Sequence, residues 1–196
     1  GNADEFMPTV AAIVLFGRNE RVAKLVPRAS VNLVRYSGDS TNAQIVEKAE
    51  LFGNLLSLYE QSMGFIQRYA DLRSEENWQA RNNEPSPINP RANYNIDVAS
   101  EALANALVHR DLALREPQTR ISIFDTYIEI SNPRRTNGFV PPASKAIRYG
   151  ITQRLNPQIA AIFGSHAYDA KHSRIGLPGL LRKARIFSGR RAEIYT

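Results

Sequence analysis

Cysteine is absent from the 196 residues, which excludes disulfide frameworks, thiol nucleophiles and cysteine-based zinc sites. Long hydrophobic runs are also absent, since a stretch such as Val10 to Phe16 is far shorter than the roughly 20 residues of a membrane-spanning helix. No charged and apolar leader opens the chain. Because 43% of the residues are hydrophobic, a core can form without these devices. We therefore expect a soluble, cytoplasmic, globular protein with no membrane partner.

Acidic residues are scarce in the second half of the chain. Residues 1–96 carry 10 basic and 11 acidic groups, whereas residues 97–196 carry 15 basic and 8 acidic groups. The stretch 171–191 has seven basic residues and no acidic one. This imbalance accounts for the net charge of +6 and predicts an anionic partner at the C-terminal end.

Apolar spacing predicts the elements of the first 72 residues. Residues 8–16 are expected to form a short apolar helix that ends at Gly17 and is followed by a polar turn. Alternating apolar positions over 29–36 predict a strand. Over 43–72 the apolar residues recur at steps of three and four, which predicts one or two amphipathic helices.

Residues 73–95 are rich in Asn, Pro and Arg, and we interpret them as a linker with a short strand around Trp78. Alanine-rich spacing predicts a helix over 96–109. Paired isoleucines on both sides of Asp125-Thr126 predict a two-strand hairpin over 120–131. Further helices are predicted at 143–149, 157–163 and 178–187, and a last strand at 192–195.

The helix over 96–109 carries the residues best suited to chemistry. Asp97, Glu101, Asn105 and His109 recur every four residues and form one polar stripe. In such a pair Asn105 can supply an oxygen ligand to magnesium, and Glu101 can orient or deprotonate a water molecule beside a triphosphate. The alternative is that the stripe is the solvent side of an amphipathic helix.

Five sequence strings carry a resemblance to a bacterial family. They are AAIVLFGRN, LVPRASVNLVRYSGD, SEALANALVHRD, RISIFDTYIEISNP and RLNPQIAAIF. In this order they resemble the C-terminal region of transcriptional regulators related to the RecG helicase. In that family a DNA-binding domain of the AlbA/Schlafen type precedes a domain similar to the ATPase fold of gyrase, histidine kinases and MutL. The resemblance covers most of residues 8–196.

The resemblance implies a site for ATP and magnesium. Glu101 would take the position that polarises water, as the catalytic residue, and Asn105 would bind the magnesium ion. Nucleotide-binding positions would be Asn105, Asn132, Gly176 and Gly179. The chain departs from the family at two points, because Arg134 and Arg174 stand where glycines are expected. Since a side chain prevents close backbone approach, these departures weaken the case for ATP hydrolysis.

Three other functions fit the sequence less well. The string His109-Arg110-Asp111 resembles the start of a kinase catalytic loop, but the required asparagine and glycine-rich loop are missing. No P-loop of a helicase motor occurs. Two histidines, His166 and His172, lack the spacing of helical metal ligands, so a solvated loop is the better interpretation.

The basic run 171–191 suits the phosphates of a nucleic acid, although a solvated charged face is the usual explanation of such a run. The candidate DNA contacts are Arg182, Lys183, Arg185, Arg190 and Arg191.

These patterns lead to one fold and three functional hypotheses. We predict an α+β fold with a helix-backed mixed, largely antiparallel sheet, preceded by a helix-strand-helix segment. The predicted parts are a connecting segment at 1–72, a linker at 73–95 and an ATPase-like domain at 96–196. The leading hypothesis is a non-catalytic regulatory or assembly part of a DNA-binding transcriptional regulator. A magnesium-dependent ATP-binding or ATP-hydrolysing domain and a basic nucleic-acid-binding module are the alternatives.

The partners follow from these hypotheses. The chain opens with Gly1-Asn2 rather than methionine, so we expect a fragment of a longer protein in which a further N-terminal domain contacts DNA. A nucleotide and further copies of the chain are the other candidate partners.

Overall fold

The computed structural model describes residues 7–74, 93–114, 118–133, 155–165, 176–188 and 192–195. In these ranges the chain forms six helices and six strands, so the predicted α+β class is confirmed. The helices are α1 (Val10–Phe16), α2 (Asn19–Leu25), α3 (Leu55–Tyr69), α4 (Ile96–Val108), α5 (Pro157–Phe163) and α6 (Gly176–Ser188). The strands are β1 (Val31–Ser37), β2 (Gln44–Leu51), β3 (Asp71–Arg73), β4 (Asn93–Asn95), β5 (Thr119–Ile123) and β6 (Ile128–Ser131).

Four strands form the main sheet, in the order β2-β1-β5-β6. β1 pairs antiparallel with β2 and parallel with β5, and β5 pairs antiparallel with β6. The sheet is therefore mixed and largely antiparallel, and the predicted hairpin is confirmed as β5 and β6. β3 and β4 form a separate parallel pair. The likeness of the whole fold to the ATPase fold stays a prediction.

β2 corrects the first part of the helical prediction for residues 43–72. Along β2 every second side chain is half-buried, at Glu47, Ala49 and Leu51, which is the period of a strand. Pairing with β1 satisfies the backbone groups along one side of β2, and this tertiary contact overrides the helical spacing of its few apolar residues. The helical prediction holds only for α3.

The N-terminal helices pack tightly against each other. α1 ends at Gly17 as predicted, and a Cβ atom there would lie only 2.5 Å from the carbonyl oxygen of Ile13. The chain then enters α2 instead of the predicted polar turn, because α2 can bury Val22 and Val26 in the core. The first 72 residues thus hold three helices, β1, β2 and the start of β3, and the predicted helix-strand-helix arrangement is wrong.

One hydrophobic core joins the sheet to α3 and α4. Leu33 of β1 and Ile121 of β5 are buried against Leu58 and Ile66 of α3 and Leu103 of α4. Residues before 72 and after 96 therefore contribute to the same core, while the predicted domain boundaries stay a prediction. None of the helices in the described ranges is long and apolar enough to cross a membrane.

The C-terminal predictions have mixed outcomes. The helices predicted at 157–163 and 178–187 are confirmed as α5 and α6. The strand predicted at 192–195 is wrong, because these residues have no regular secondary structure. The helix predicted at 143–149 and the strand around Trp78 lie outside the described residues.

Candidate functional site

α4 positions the polar stripe, and its ends are well defined. The side-chain oxygen of Asn95 accepts the backbone N–H groups of Asp97 and Val98, at 2.9 and 3.2 Å, and so caps the N-terminus. His109 follows the last turn as the C-terminal cap. The predicted helix over 96–109 is therefore confirmed.

α6 packs over the first half of the stripe, where it contacts Asp97 and Glu101. Glu101 is only 5% exposed, and Asp97, Asn105 and His109 are half-buried. α6 packs along α4 and also contacts β4. The alternative interpretation of the stripe as a solvated face is therefore wrong for Glu101, whereas Asp97, Asn105 and His109 are partly exposed.

Glu101 is the centre of a small hydrogen-bond network. Its Oε1 atom accepts the Nδ2 group of Asn105 at 2.7 Å and the backbone N–H of Gly176 at 3.1 Å. The same Nδ2 group also donates to the backbone oxygen of Glu101, at 2.9 Å. The fold thus brings together three of the residues that sequence analysis assigned to a nucleotide site.

Gly176 begins α6 in a conformation that favours glycine. Its φ angle of +64° lies in the left-handed region, so a side chain would be disfavoured even though the space beside it is open. The N-terminus of a helix carries partial positive charge and attracts anions such as phosphate. Here the carboxylate of Glu101 meets that N-terminus. Gly179 lies in the first turn of α6 and is half-buried.

Asn105 offers a magnesium ion one amide oxygen. Both hydrogen bonds of its side chain use Nδ2, so within the described residues Oδ1 is left for a ligand. The described residues contain no group of three or more His, Cys, Asp or Glu side chains that could hold a metal ion. A magnesium ion at Asn105 would therefore need its other oxygens from nucleotide phosphates and water.

Tyr59 of α3 lies near the carboxylate of Glu101. Burial raises the pKa of Tyr59, and the nearby carboxylate of Glu101 acts in the same direction. The hydroxyl of Ser100 hydrogen-bonds Tyr59 and opposes this shift in its pKa. The ring of Tyr59 packs edge-on against Phe163, with 5.9 Å between centroids. Glu101 is thus buried where α3, α4 and α6 come together.

Asn132 forms a separate hydrogen bond, away from the network around Glu101. It follows β6, and its side-chain oxygen accepts the hydroxyl of the buried Thr119, at 2.8 Å. No hydrogen bond in the described ranges joins Asn132 to the residues around Glu101. Arg134 and Arg174, which replace the expected glycines, lie outside the described residues.

The basic side chains of α6 do not all face solvent. Lys183 forms an ion pair with Asp97 of α4, with 2.5 Å between Nζ and Oδ2. Arg182 and Arg185 are exposed. Arg190 and Arg191 lie outside the described residues, as do the histidines at 166 and 172. The predicted DNA contacts on α6 therefore divide into one paired and two exposed cations.

Arg110 has a structural role that the sequence does not reveal. This side chain is only 3% exposed, and its Nη1 group donates to the backbone oxygen of Ser30 at 2.7 Å. Burial lowers the pKa of Arg110 to about 10. The side chain of Asn156 donates to the backbone oxygen of Arg110, at 2.6 Å. Arg110 therefore ties the end of α4 to the start of β1, a role that no sequence motif indicates.

Comparisons with known proteins give no family assignment. No family model, curated protein or solved structure matches the chain. The likeness to RecG-related regulators therefore remains a prediction from the sequence strings.

Proposed function

We propose that this chain is the non-catalytic regulatory part of a DNA-binding transcriptional regulator, in which Glu101 holds α6 against α4. The observation that carries the proposal is the position of the Glu101 carboxylate. It is buried, and its Oε1 atom already accepts two N–H donors, from Asn105 and Gly176. The family resemblance supports the link to transcription.

The negative charge of Glu101 suits a structural role, in which this side chain joins α4 to the N-terminus of α6. A carboxylate at a helix N-terminus is stabilised by the helix dipole and by the N–H group that it accepts. The same carboxylate fills the place where a bound phosphate would be favoured at α6. A general base must instead reach the proton of a substrate water molecule within hydrogen-bond distance. In this arrangement Glu101 serves as an internal anion.

Phosphate release from ATP with magnesium tests this proposal. We expect no turnover by the parent chain above that of a Glu101→Gln variant, which keeps the side-chain shape and an acceptor oxygen. Turnover by the parent that disappears in Glu101→Gln would assign a catalytic role to Glu101 and overturn the proposal. Circular dichroism of both proteins ensures that the comparison is made between folded chains.

A second candidate function is magnesium-dependent ATP binding. It is favoured because the fold brings Gly176 to Glu101 and Asn105, across 75 positions of sequence. Glu101 and Asn105 would adjoin the bound nucleotide, and its phosphates would compete with Glu101 for the N–H of Gly176.

Thermal unfolding with magnesium-ATP separates the two functions. A ligand at about 100 times its Kd adds roughly 2.7 kcal/mol of stability, which raises the Tm by several degrees. A rise that Asn105→Ala abolishes would favour the binding function. An unchanged Tm at saturating magnesium-ATP is the result expected for a purely structural tie.

A further inference from the structure

The exposed side of α2 carries a row of cations. The charges of residues 1–96 almost cancel, so the net charge of this half does not reveal them. Arg18, Arg21 and Lys24 recur at steps of three residues, and all are exposed. We name these three residues the α2 cation stripe. Arg28 follows the helix and is half-buried. Since three residues advance a helix by about 4.5 Å, the stripe covers roughly 9 Å along its axis.

The stripe carries little compensating negative charge. Between residues 18 and 28 the sequence has four basic residues, and Glu20 is its one acidic residue. Among the described residues, no carboxylate forms an ion pair with Arg18, Arg21 or Lys24. The stripe is therefore a local excess of positive charge in a half of the chain whose net charge is close to zero.

α2 is firmly attached on its opposite side, so the stripe has a fixed position. Val22 and Val26 are buried in the main core. Asn19 joins the helix to α3, because its Oδ1 atom accepts the N–H of Asn54 at 2.9 Å. The Nδ2 group of Asn19 donates to the hydroxyl of Ser57 at 3.1 Å. The cations are thus presented on a docked helix whose apolar side is already used.

We propose that the α2 cation stripe binds the phosphate backbone of duplex DNA without reading its base sequence. Duplex DNA carries one negative charge per roughly 1.7 Å of axis, so a 9 Å row of cations meets several phosphates. The proposal rests on the proposed function in one respect, namely that the protein acts at DNA. It adds to that proposal a specific DNA contact within this chain.

Other polyanions fit the surface less well. A helix that binds a lipid surface inserts an apolar side into it, but the apolar side of α2 is buried in the core and Leu25 is the one large apolar residue exposed on the helix. Single-stranded nucleic acids are bound through several stacking aromatic side chains. Phe16, at the end of α1, is the one exposed aromatic residue adjoining the stripe in sequence. The charge pattern favours a duplex backbone.

Fluorescence polarisation with a labelled duplex of mixed sequence tests the proposal. Three proteins are compared: the parent chain, Arg21→Gln with Lys24→Gln on α2, and Arg182→Gln with Arg185→Gln on α6. The two double variants remove the same charge from exposed positions, so they compare the α2 cation stripe with the predicted DNA contacts on α6 at equal charge. Thermal unfolding of each protein verifies that all are folded.

The salt dependence of binding gives the expected values. For three phosphate contacts the slope of log K against log salt is about −2.7, which is roughly a forty-fold loss between about 50 and 200 mM salt. Removal of two contacts on α2 reduces the slope to about −0.9, or roughly a 3.5-fold loss over the same range. The α6 variant should keep the slope of the parent.

Three results overturn the inference in distinguishable ways. Equal or greater loss in the α6 variant would place the DNA contact on α6 and leave the DNA-binding function standing. Absence of duplex binding by the parent chain at about 50 mM salt would remove DNA contact from this chain. Binding to vesicles that contain phosphatidylserine, without duplex binding, would identify a lipid surface as the partner. None of these results alters the ATP experiments on Glu101, which test the proposed function separately.

Discussion

α2 and α6 are both basic helices with exposed cations, but one cation of α6 is held in an ion pair. On α2 the stripe Arg18, Arg21 and Lys24 faces solvent, and no ion pair with a described carboxylate engages it. On α6 Lys183 pairs with Asp97 of the neighbouring helix. The sequence singles out α6 because the segment around it lacks acidic residues. The comparison teaches that the availability of a cation depends on what the fold places beside it.

The two helices also differ in how they are attached. α2 is held by buried Val22 and Val26, whereas α6 is held by buried Leu180 and by polar ties to Glu101 and Asp97. Apolar burial contributes stability at any salt concentration, while a partly exposed ion pair weakens as salt screens it. We therefore expect α2 to stay docked under conditions that loosen α6.

The largest effect is expected from a substitution that breaks the attachment of α2 to the core. Val22→Asp places a charge at a fully buried position without a described partner, which should cost about 4 kcal/mol or more of unfolding free energy. Urea unfolding measures this change. The matched control is Lys24→Asp on the exposed side of the same helix, which should change stability by no more than about 0.5 kcal/mol. Similar losses in both variants would mean that α2 is not held by its apolar side.

A middle-sized effect tests the polar tie of α6. Glu101→Ala removes the acceptor shared by the N–H of Gly176 and the amide of Asn105, which should cost about 1–3 kcal/mol. Hydrogen exchange of the α6 backbone amides should accelerate, because the helix loses its N-terminal anchor. Glu101→Gln, which keeps an acceptor oxygen, should accelerate exchange less. Unchanged protection of α6 in Glu101→Ala would contradict the role of Glu101 as a tie.

The smallest expected effect concerns a third kind of cation, which is exposed yet paired. Arg68 of α3 donates to both carboxylate oxygens of Glu47, at 2.8 and 3.0 Å. The hydrogen bond from Tyr69 lowers the pKa of Glu47 below its ordinary value of 4.5, and Arg68 adds to this shift. Glu47 therefore contributes stability above its unfolded-state pKa and loses this contribution as the pH falls through the lower folded-state pKa.

Acid unfolding of the parent and of Glu47→Gln measures that contribution. Below about pH 4.5 the parent should lose stability more steeply than the variant, because only the parent has a carboxylate to protonate there. The effect is small, since water screens an exposed pair. Identical pH profiles would mean that pairing with Arg68 and Tyr69 contributes nothing measurable.

Local sequence signals predicted correctly those elements for which local propensity and tertiary packing favour the same structure. α1 ends at Gly17, α4 has high alanine content, and the hairpin of β5 and β6 turns at Asp125-Thr126. In each case propensity or turn chemistry points to the structure that packing also favours. β2 is the counterexample, because its few apolar residues fit a helix as well as a strand. Pairing with β1 decided between the two.

In the candidate site, too, some contacts follow from local sequence and others from tertiary packing. The four-residue spacing of Glu101 and Asn105 predicted that they share one face of α4, and in the structure their side chains are joined by a hydrogen bond. Gly176 was singled out by the family resemblance, but its contact with Glu101 depends on how α6 docks. Arg110 was considered only as part of a kinase-like string, and its burial against the start of β1 had no sequence signal.

The sequence by itself determined the α+β class, the places of α1, α3, α4, α5 and α6, and the polar stripe on α4, because these follow from periodicity within one segment. The tertiary structure alone decided that β2 is a strand and that α2 forms. It also decided that Glu101 is buried beneath α6, and that the cations of α2 face solvent while Lys183 is paired. The physical reason is that burial, strand pairing and ion pairing join residues far apart in the chain, so no local pattern encodes which partners meet.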